Sequence, residues 1–301
     1  MTASTPAHDE SQNRPGGRPP GGAHLDSTAQ LMNRITSQLG SQLRLVSHGG
    51  ARRPAPPALV MVAHGSRDPR ALDTVRTLAE RVHELRPHLS VRLGHIELNE
   101  PLLPDTLASL DTGEAVLVPL LLSRGYHVKQ DIPEAAAAVP ELDCRVAAPL
   151  GPHPLLVETL YARLVEAGWR TRMSEATRRA SGVVLAAAGS RDPDAAVDTR
   201  RTAQLLAERL GVPVVPAYAS AAAPTVPAAV RALAARGRHR VAVASYFTAP
   251  GRFATECAAA APWIAAAPLG AHAAMARLVL HRYDRALAAP GSAAARTLAS
   301  A

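Results

Sequence analysis

One twelve-residue segment occurs twice in this chain in nearly the same form. Residues 59–70 read LVMVAHGSRDPR, and residues 183–194 read VVLAAAGSRDPD. His64, at the end of the first apolar run, is replaced by Ala188 in the second copy. Self-similarity at a fixed sequence distance indicates two copies of one structural unit. The chain is therefore predicted to fold as two similar halves.

The similarity extends beyond this segment. The other matched pairs are EPLLPDTLASL with APTVPAAVRAL, VLVPLLLSRGYH with VAVASYFTAPGRF, and APLGPHPLLVETLY with APLGAHAAMARLVL. Short apolar runs alternate with amphipathic segments, a pattern typical of α/β proteins with mainly parallel sheets. We predict halves at residues 56–168 and 182–288, a polar linker at 169–181, a mostly disordered tail at 1–55 and a second tail at 289–301.

The segment after the first GSRDP motif is predicted to be an amphipathic helix. Asp68 is a suitable N-cap, Pro69 suits the first helical position, and Pro87 would end the helix. Its apolar stripe consists of Leu72, Val75, Leu78, Ala79, Val82 and Leu85. The Gly-Ser turn then lies at the carboxyl end of a strand, where open α/β sheets bind their ligands.

Composition excludes several classes of protein. The longest apolar runs are far shorter than the roughly 20 residues of a membrane span, and the N-terminus lacks an apolar signal region. We therefore expect a cytoplasmic protein with no membrane partner. Cys144 and Cys257 are far apart, and we interpret them as reduced core thiols.

The net charge of +8 is carried almost wholly by arginine, because Lys129 is the only lysine. The arginines are scattered, and two Trp, five Tyr and two Phe offer few rings for stacking on bases. We therefore expect no nucleic-acid partner. A small polyanionic ligand remains compatible with the charge.

Three ionisable residues of the first half stand at the ends of predicted strands: His64, Glu97 and His127. Because the carboxyl ends of parallel strands meet at one edge of a sheet, these side chains should converge. Two imidazoles and a carboxylate suit a divalent transition metal, with positions left open for a substrate. Each histidine alone is more often a hydrogen-bonded turn residue than a ligand.

The second half distinguishes these interpretations. Its equivalent positions carry Ala188, Ser220 and Phe253, so all three candidate ligands are missing while the surrounding glycines and prolines persist. Joint loss is what one active half and one scaffolding half would produce. Purely structural residues would have less reason to disappear as a set.

VAHGSRDP, IELNEP and PLLLSRGYHVKQDIP resemble the signature segments of sirohydrochlorin chelatases of the CbiX type, which are class II tetrapyrrole chelatases. The resemblance covers residues 58–166 and, through the repeat, extends more weakly to residue 288. It implies two Rossmann-like halves that face each other across a cleft, where tetrapyrrole and metal meet. It also implies that His64 and His127 contact the metal, with Glu97 close by.

The activity implied is insertion of Fe²⁺ or Co²⁺ into sirohydrochlorin, in siroheme or cobalamin biosynthesis; nickel also stays open. The macrocycle must lose two pyrrole protons as the ion enters. A neutral histidine can accept a proton and bind a metal, so His64 is predicted as principal base and ligand, with His127 and Glu97 delivering the ion. The metal is a substrate, and neither a permanently bound cofactor nor an iron–sulfur cluster is expected.

Sirohydrochlorin is a polycarboxylate, so cations and backbone N–H groups should line the cleft. The predicted substrate-binding residues are Gly65, Ser66, Arg67, Arg124, Gly125, Tyr126, Lys129, Ser190, Arg191, Gly251 and Arg252. Among the arginines, Arg67 and Arg191 are favoured because both halves keep that position. Since one chain supplies both halves, a monomer is predicted.

Three other functions fit parts of this pattern. A non-catalytic metal-binding or carrier protein would need the same ligands but no ring-sized cleft. A phosphate binder could use the Gly-Ser turn, but the full G-x-x-x-x-G-K-[ST] and G-x-G-x-x-G patterns are absent from the sequence, and so is the G-x-S-x-G motif of serine hydrolases.

Overall fold

The computed structural model describes residues 56–110 and 113–289, together with residues 32, 36 and 38, which are helical. The predicted tails at 1–55 and 289–301 lie almost wholly outside the described residues. Within the described part of the chain, every helix is too short or too polar to span a lipid bilayer.

The first half alternates strands with helices from Ala58 onward. Its strands are β1 (Ala58–Ala63), β2 (Val91–His95), β3 (Gly113–Pro119) and β4 (Leu142–Val146). Its helices are α1 (Pro69–Leu85), α2 (Leu103–Ala108), α3 (Tyr126–Lys129), α4 (Asp131–Ala137) and α5 (Pro154–Glu166).

The second half repeats this order. Its strands are β5 (Ser181–Ala187), β6 (Val214–Tyr218), β7 (Arg240–Tyr246) and β8 (Ile264–Ala265). Its helices are α7 (Pro193–Leu210), α8 (Val226–Ala235), α9 (Arg252–Ala259) and α10 (Ala273–Ala288), and α6 (Glu175–Ala180) precedes β5.

Each half is built on a four-stranded sheet in which every pairing is parallel. The strand orders are β2-β1-β3-β4 and β6-β5-β7-β8, so the first strand of each half is central. Both central strands are buried almost throughout, because helices cover both faces of the sheet. The predicted α/β class is confirmed.

The helix after the first motif starts as predicted. Asp68 is the N-cap of α1, and its carboxylate accepts a hydrogen bond of 3.0 Å from the backbone N–H of Arg70. The predicted apolar stripe was wrong at the last turn of the helix, where Leu85 is 54% exposed. Near the start of the helix, Ala71 is buried although it was not part of the predicted stripe. Leu85 ends the helix, and the chain leaves the helical conformation at Arg86.

The last helix of each half packs on the other half. Helix α5 contacts α7 and β7, while α10 contacts α1 and β3, and the two helices also contact each other. Hydrogen bonds of 3.0 Å from Arg163 to the Leu269 carbonyl and from Arg282 to the Leu150 carbonyl cross between the halves. This exchange joins the two halves into one folding unit.

The segment predicted as a polar linker is folded against the halves. It contains α6, and Trp169 at its start is buried in the core, with its ring centroid 5.7 Å from that of Trp263. Ser181 already belongs to β5. Apolar surface within this arginine-rich segment therefore contributes to the core.

Both cysteines are free thiols, as predicted. Cys257 is buried on α9, whereas Cys144 on β4 is half-buried. Burial raises the pKa of both thiols, which disfavours the reactive thiolate form.

Two equivalent histidines cap the exchanged helices. The Nδ1 atom of His153 accepts a hydrogen bond of 3.1 Å from the backbone N–H of Leu155 at the start of α5, and His272 caps α10 in the same way. Burial lowers the pKa of His153 to about 4, and the nearby charge of Arg282 acts in the same direction. Only the neutral imidazole can accept at Nδ1, so protonation removes the cap.

This capping predicts a loss of stability in acid. The unfolded chain, with a histidine pKa near 6.5, binds more protons than the folded chain between about pH 6.5 and pH 4, so the free energy of unfolding falls as the pH is lowered through that window. Asn at position 153 caps without titrating. We expect H153N to lose about 1–2 kcal/mol less than the unmodified protein between pH 7 and pH 4.5, a figure reduced for the partial exposure of the ring. Urea unfolding at several pH values measures this, and equal pH slopes would contradict it.

Candidate functional site

His64 lies in a turn that a glycine makes possible. Strand β1 ends at Ala63, and the backbone N–H of Glu97 donates a hydrogen bond of 3.0 Å to the His64 carbonyl. Gly65 has a φ of +104°, and a Cβ atom there would stand 1.8 Å from the Glu97 carbonyl oxygen. Only glycine fits this close approach, so the turn fixes the backbones of His64 and Glu97 side by side.

The second half builds the same turn without ionisable side chains. Gly189 has a φ of +94°, and a Cβ atom there would stand 1.8 Å from the carbonyl oxygen of Ser220. The backbone N–H of Ser220 donates to the Ala188 carbonyl at 2.9 Å. The structure thus places Ala188 and Ser220 where the first half has His64 and Glu97.

The three predicted metal-site residues lie together. The Nδ1 atom of His64 is 3.5 Å from a carboxylate oxygen of Glu97. The ring centroids of His64 and His127 are 4.7 Å apart, and the two ring planes are perpendicular. All three side chains are partly exposed. One wall of a cleft therefore carries two imidazoles and a carboxylate.

The sequence analysis missed one member of this cluster. Asp131, at the start of α4, pairs through a carboxylate oxygen with Nδ1 of His127. A carboxylate at this position holds the proton on Nδ1 and leaves the Nε2 lone pair free to bind a metal. The spacing of four residues between His127 and Asp131 in YHVKQDIP was the available signal, since such residues are neighbours on a helical path.

The cluster is not a preformed metal cage. Across residues 56–110 and 113–289, no group of three or more His, Cys, Asp or Glu side chains is arranged to hold a metal ion. The imidazoles of His64 and His127 meet edge to face. A metal ion bound here would therefore require these partly exposed side chains to turn toward it.

The cluster opens onto a cleft of about 1320 Å³ that both halves line. Ala188, Ser220 and Phe253 line the wall opposite the histidines. The predicted substrate-binding residues that line the cleft are Gly65, Ser66, Arg67, Gly125, Tyr126, Ser190, Gly251 and Arg252. The volume exceeds the roughly 300–1,000 Å³ of ordinary ligand pockets, so the cleft has room for a large ligand.

Three predicted substrate contacts are placed elsewhere. Arg191 is exposed and does not line the cleft. Arg124 donates to the Asp198 carboxylate at 2.7 Å, and Lys129 lies 2.7 Å from a carboxylate oxygen of Asp192. Carboxylates of the second half thus already pair with Arg124 and Lys129, two of the five cations expected to face an anionic substrate.

The base of the cleft is closed by hydrogen bonds between the two sheets. The hydroxyl of Tyr246, at the end of β7, donates to the Leu122 carbonyl at 2.9 Å, and Thr248 donates to the Leu120 carbonyl at 2.9 Å. Burial raises the pKa of Tyr246, which keeps its hydroxyl protonated and able to donate. The carboxyl ends of β3 and β7 therefore meet beneath the cleft.

Comparison with known proteins assigns the family. Residues 58–167 and 182–286 both match the family model CbiX. The chain belongs to the CbiX family. Both matched ranges coincide with the repeated halves, so the family unit occurs here twice in tandem.

Named relatives of this CbiX protein include chelatases for two metals. The sirohydrochlorin cobaltochelatase of Methanopyrus kandleri is 37% identical over 89 residues, which cover 29% of this chain and 62% of that protein. The sirohydrochlorin ferrochelatase of Bacillus subtilis is 29% identical over 178 residues, covering 56% of this chain and 64% of that protein. The chain therefore spans less than two thirds of the length of either relative.

A solved structure shows the same fold. SirB from Bacillus subtilis with Fe³⁺ superimposes with a TM-score of 0.62 at 23% sequence identity, covering 76% of this chain and 95% of that one. The two-half architecture of this CbiX protein is therefore that of SirB.

Proposed function

We propose that this CbiX protein is a sirohydrochlorin chelatase, a lyase that inserts a divalent metal into the macrocycle with release of two protons. The observation that carries the proposal is the contact of His64 with both Glu97 and His127 on one wall of a cleft large enough for a tetrapyrrole. The names of the relatives support the same substrate and the same class of reaction.

His64 is proposed as the general base of this reaction. Its imidazole lines the cleft, where the face of a bound macrocycle would lie, and it is partly exposed. Glu97, 3.5 Å from Nδ1, stabilises the imidazolium that forms when the ring takes a pyrrole proton. A positioned base of this kind contributes about 10²–10⁴-fold to a rate.

His127 is suited to hold the metal during transfer. Asp131 occupies its Nδ1 side, so Nε2 is the atom that would bind a divalent ion. Glu97 supplies an oxygen from the same wall, and His64 is proposed as a second imidazole ligand until its ring takes a pyrrole proton. Imidazole and carboxylate suit iron, cobalt and nickel, so the ion is a substrate whose identity these ligands do not fix.

The second half is proposed to hold the ring. Ser190, Gly251 and Arg252 line the wall opposite His64, and Arg67 adds a second cation from the first half. Guanidinium groups and free backbone N–H groups bind the carboxylates of such a substrate. Because one chain supplies both walls, a monomer suffices, and we propose a cytoplasmic enzyme of siroheme or cobalamin biosynthesis with no resident cofactor.

Mixing the purified protein with sirohydrochlorin and Fe²⁺, Co²⁺ or Ni²⁺ in separate reactions tests the function. We expect the absorbance change of metallation to be at least about 100-fold faster than without protein for one or more of the ions. A protein that binds metal but leaves all three rates at their uncatalysed values would instead be a metal-binding or carrier protein.

A further inference from the structure

The segment that carries His127 is not anchored by a core of its own. No residue of α3, Tyr126–Lys129, is buried. The equivalent segment of the second half begins the longer helix α9, in which Ala254, the counterpart of Val128, is buried. A four-residue helix is not stable by itself, so contacts outside α3 must hold it in place, including those of α4, which follows directly and buries Ile132.

Ion pairs to the other half hold both ends of this segment. Asp198 of α7, whose side chain is only 4% exposed, accepts hydrogen bonds from the backbone N–H of Arg124 at 2.9 Å and from its guanidinium at 2.7 Å. At the far end, Nζ of Lys129 lies 2.7 Å from Asp192 and 2.9 Å from Asp194. His127 lies between these two attachments.

The attachment is one-sided, although the fold is repeated. The second half has Pro250 and Thr255 where the first has Arg124 and Lys129. In the first half, Thr74 stands at the position of Asp198. The loop of the half that carries the imidazoles is therefore tied to the other half by ion pairs, whereas the second-half loop contributes the Thr248 hydrogen bond at the base of the cleft.

We propose that Arg124, Lys129, Asp192, Asp194 and Asp198 form a cross-cleft latch that positions His127, so that the metal site is complete only when the halves are closed on each other. Asp198 is the central positioning residue, because it is buried and binds both the backbone and the guanidinium of Arg124. The role of the latch in catalysis rests on the proposed chelatase function. The existence of the latch does not depend on that function.

The charges of Arg124 and Lys129 support the proposed latch. Hydrogen bonds to Asp192 and Asp194 raise the pKa of Lys129, and the hydrogen bond to Asp198 raises that of Arg124, so both cations stay charged. The Lys129 contacts are solvent-exposed and contribute modestly. Asp198 is nearly buried, so loss of its charge removes the buried counter-ion of Arg124, whose own side chain is 46% exposed.

The single lysine of the chain provides a direct probe. A lysine-specific endoproteinase can cut this protein only after Lys129, which lies within the latch. Cleavage under native conditions requires local opening of that segment. We expect D198N to be cut about tenfold faster than the unmodified protein, and D194N, altered at an exposed position, about twofold to threefold faster.

Asp284 offers a matched control. It forms a bidentate ion pair with Arg86, at 2.6 and 2.9 Å, that also joins the two halves but lies away from α3. D284N should be cut within about twofold of the unmodified rate. Reactivity of the buried Cys257 thiol reports global unfolding and should be unchanged in every variant. If D198N and D194N are both cleaved at the rate of the unmodified protein, the latch proposal is wrong.

The kinetics of metal insertion distinguish a latch that positions His127 from a contact that only stabilises the fold. In D198N we expect the apparent KM for Co²⁺ to rise about tenfold and the KM for sirohydrochlorin to rise clearly less. The displaced segment carries the metal ligand His127, whereas it supplies only Gly125 and Tyr126 among the predicted substrate contacts in the cleft. Equal changes in both constants would contradict a positioning role. If the unmodified protein inserts no metal, the proposed function fails, yet the cleavage rates still decide whether the latch exists.

Discussion

Replacing His64 by alanine is expected to lower kcat for metal insertion by about 10²–10⁴-fold, because the reaction loses a positioned base. The fold should tolerate the change, since the side chain is partly exposed and the equivalent position of the second half is already Ala188. H127A should also slow insertion, and should weaken Co²⁺ binding more than H64A does. Steady-state rates with varied metal and sirohydrochlorin measure both effects.

An exposed histidine on the same half serves as the control. His83 lies on α1 and does not line the cleft. H83A should therefore leave insertion within about twofold of the unmodified rate. If H64A and H127A metallate sirohydrochlorin as fast as H83A, the assignment of the first half as the active one is wrong.

Replacing Gly65 by alanine is expected to cost about 3 kcal/mol of stability or more. The new methyl group would meet the Glu97 carbonyl oxygen at 1.8 Å, in a backbone region that side chains disfavour. The Gly189→Ala variant meets the Ser220 carbonyl at the same 1.8 Å. Both variants should therefore lose similar stability in thermal or urea unfolding.

The two glycine variants should differ in activity. At a temperature where both remain folded, G65A displaces His64 and Glu97 from each other, whereas G189A moves only Ala188 and Ser220. We expect at least about a tenfold lower insertion rate for G65A than for G189A. Equal rates at equal folded fractions would show that the turn of the first half has no special role in the reaction.

Local features of the fold could be predicted from the sequence. The repeat gave two α/β halves, and the Asp-Pro pair gave the start of α1. Convergence of His64, Glu97 and His127 also followed, because parallel strands bring their carboxyl ends to one edge. Each of these inferences needs only residues close in sequence and a rule for strand direction.

Contacts between the halves could not be predicted in this way. Arg124 and Lys129 were expected to face the substrate, but their partners are carboxylates of α7, more than sixty residues away along the chain. The exchange of α5 and α10 likewise depends on how two folded halves pack. Nothing in the local pattern around Arg124 distinguishes a cation that awaits a ligand from one already paired.

Cobalt binding seen by X-ray crystallography tests the central claim most directly. Crystals grown with Co²⁺ should show an anomalous scattering peak in the cleft, about 2.1 Å from imidazole nitrogens of His64 and His127 and on the first-half wall. A peak bound instead by the second-half wall around Ser220 and Phe253, or cobalt found only outside the cleft, would contradict the account.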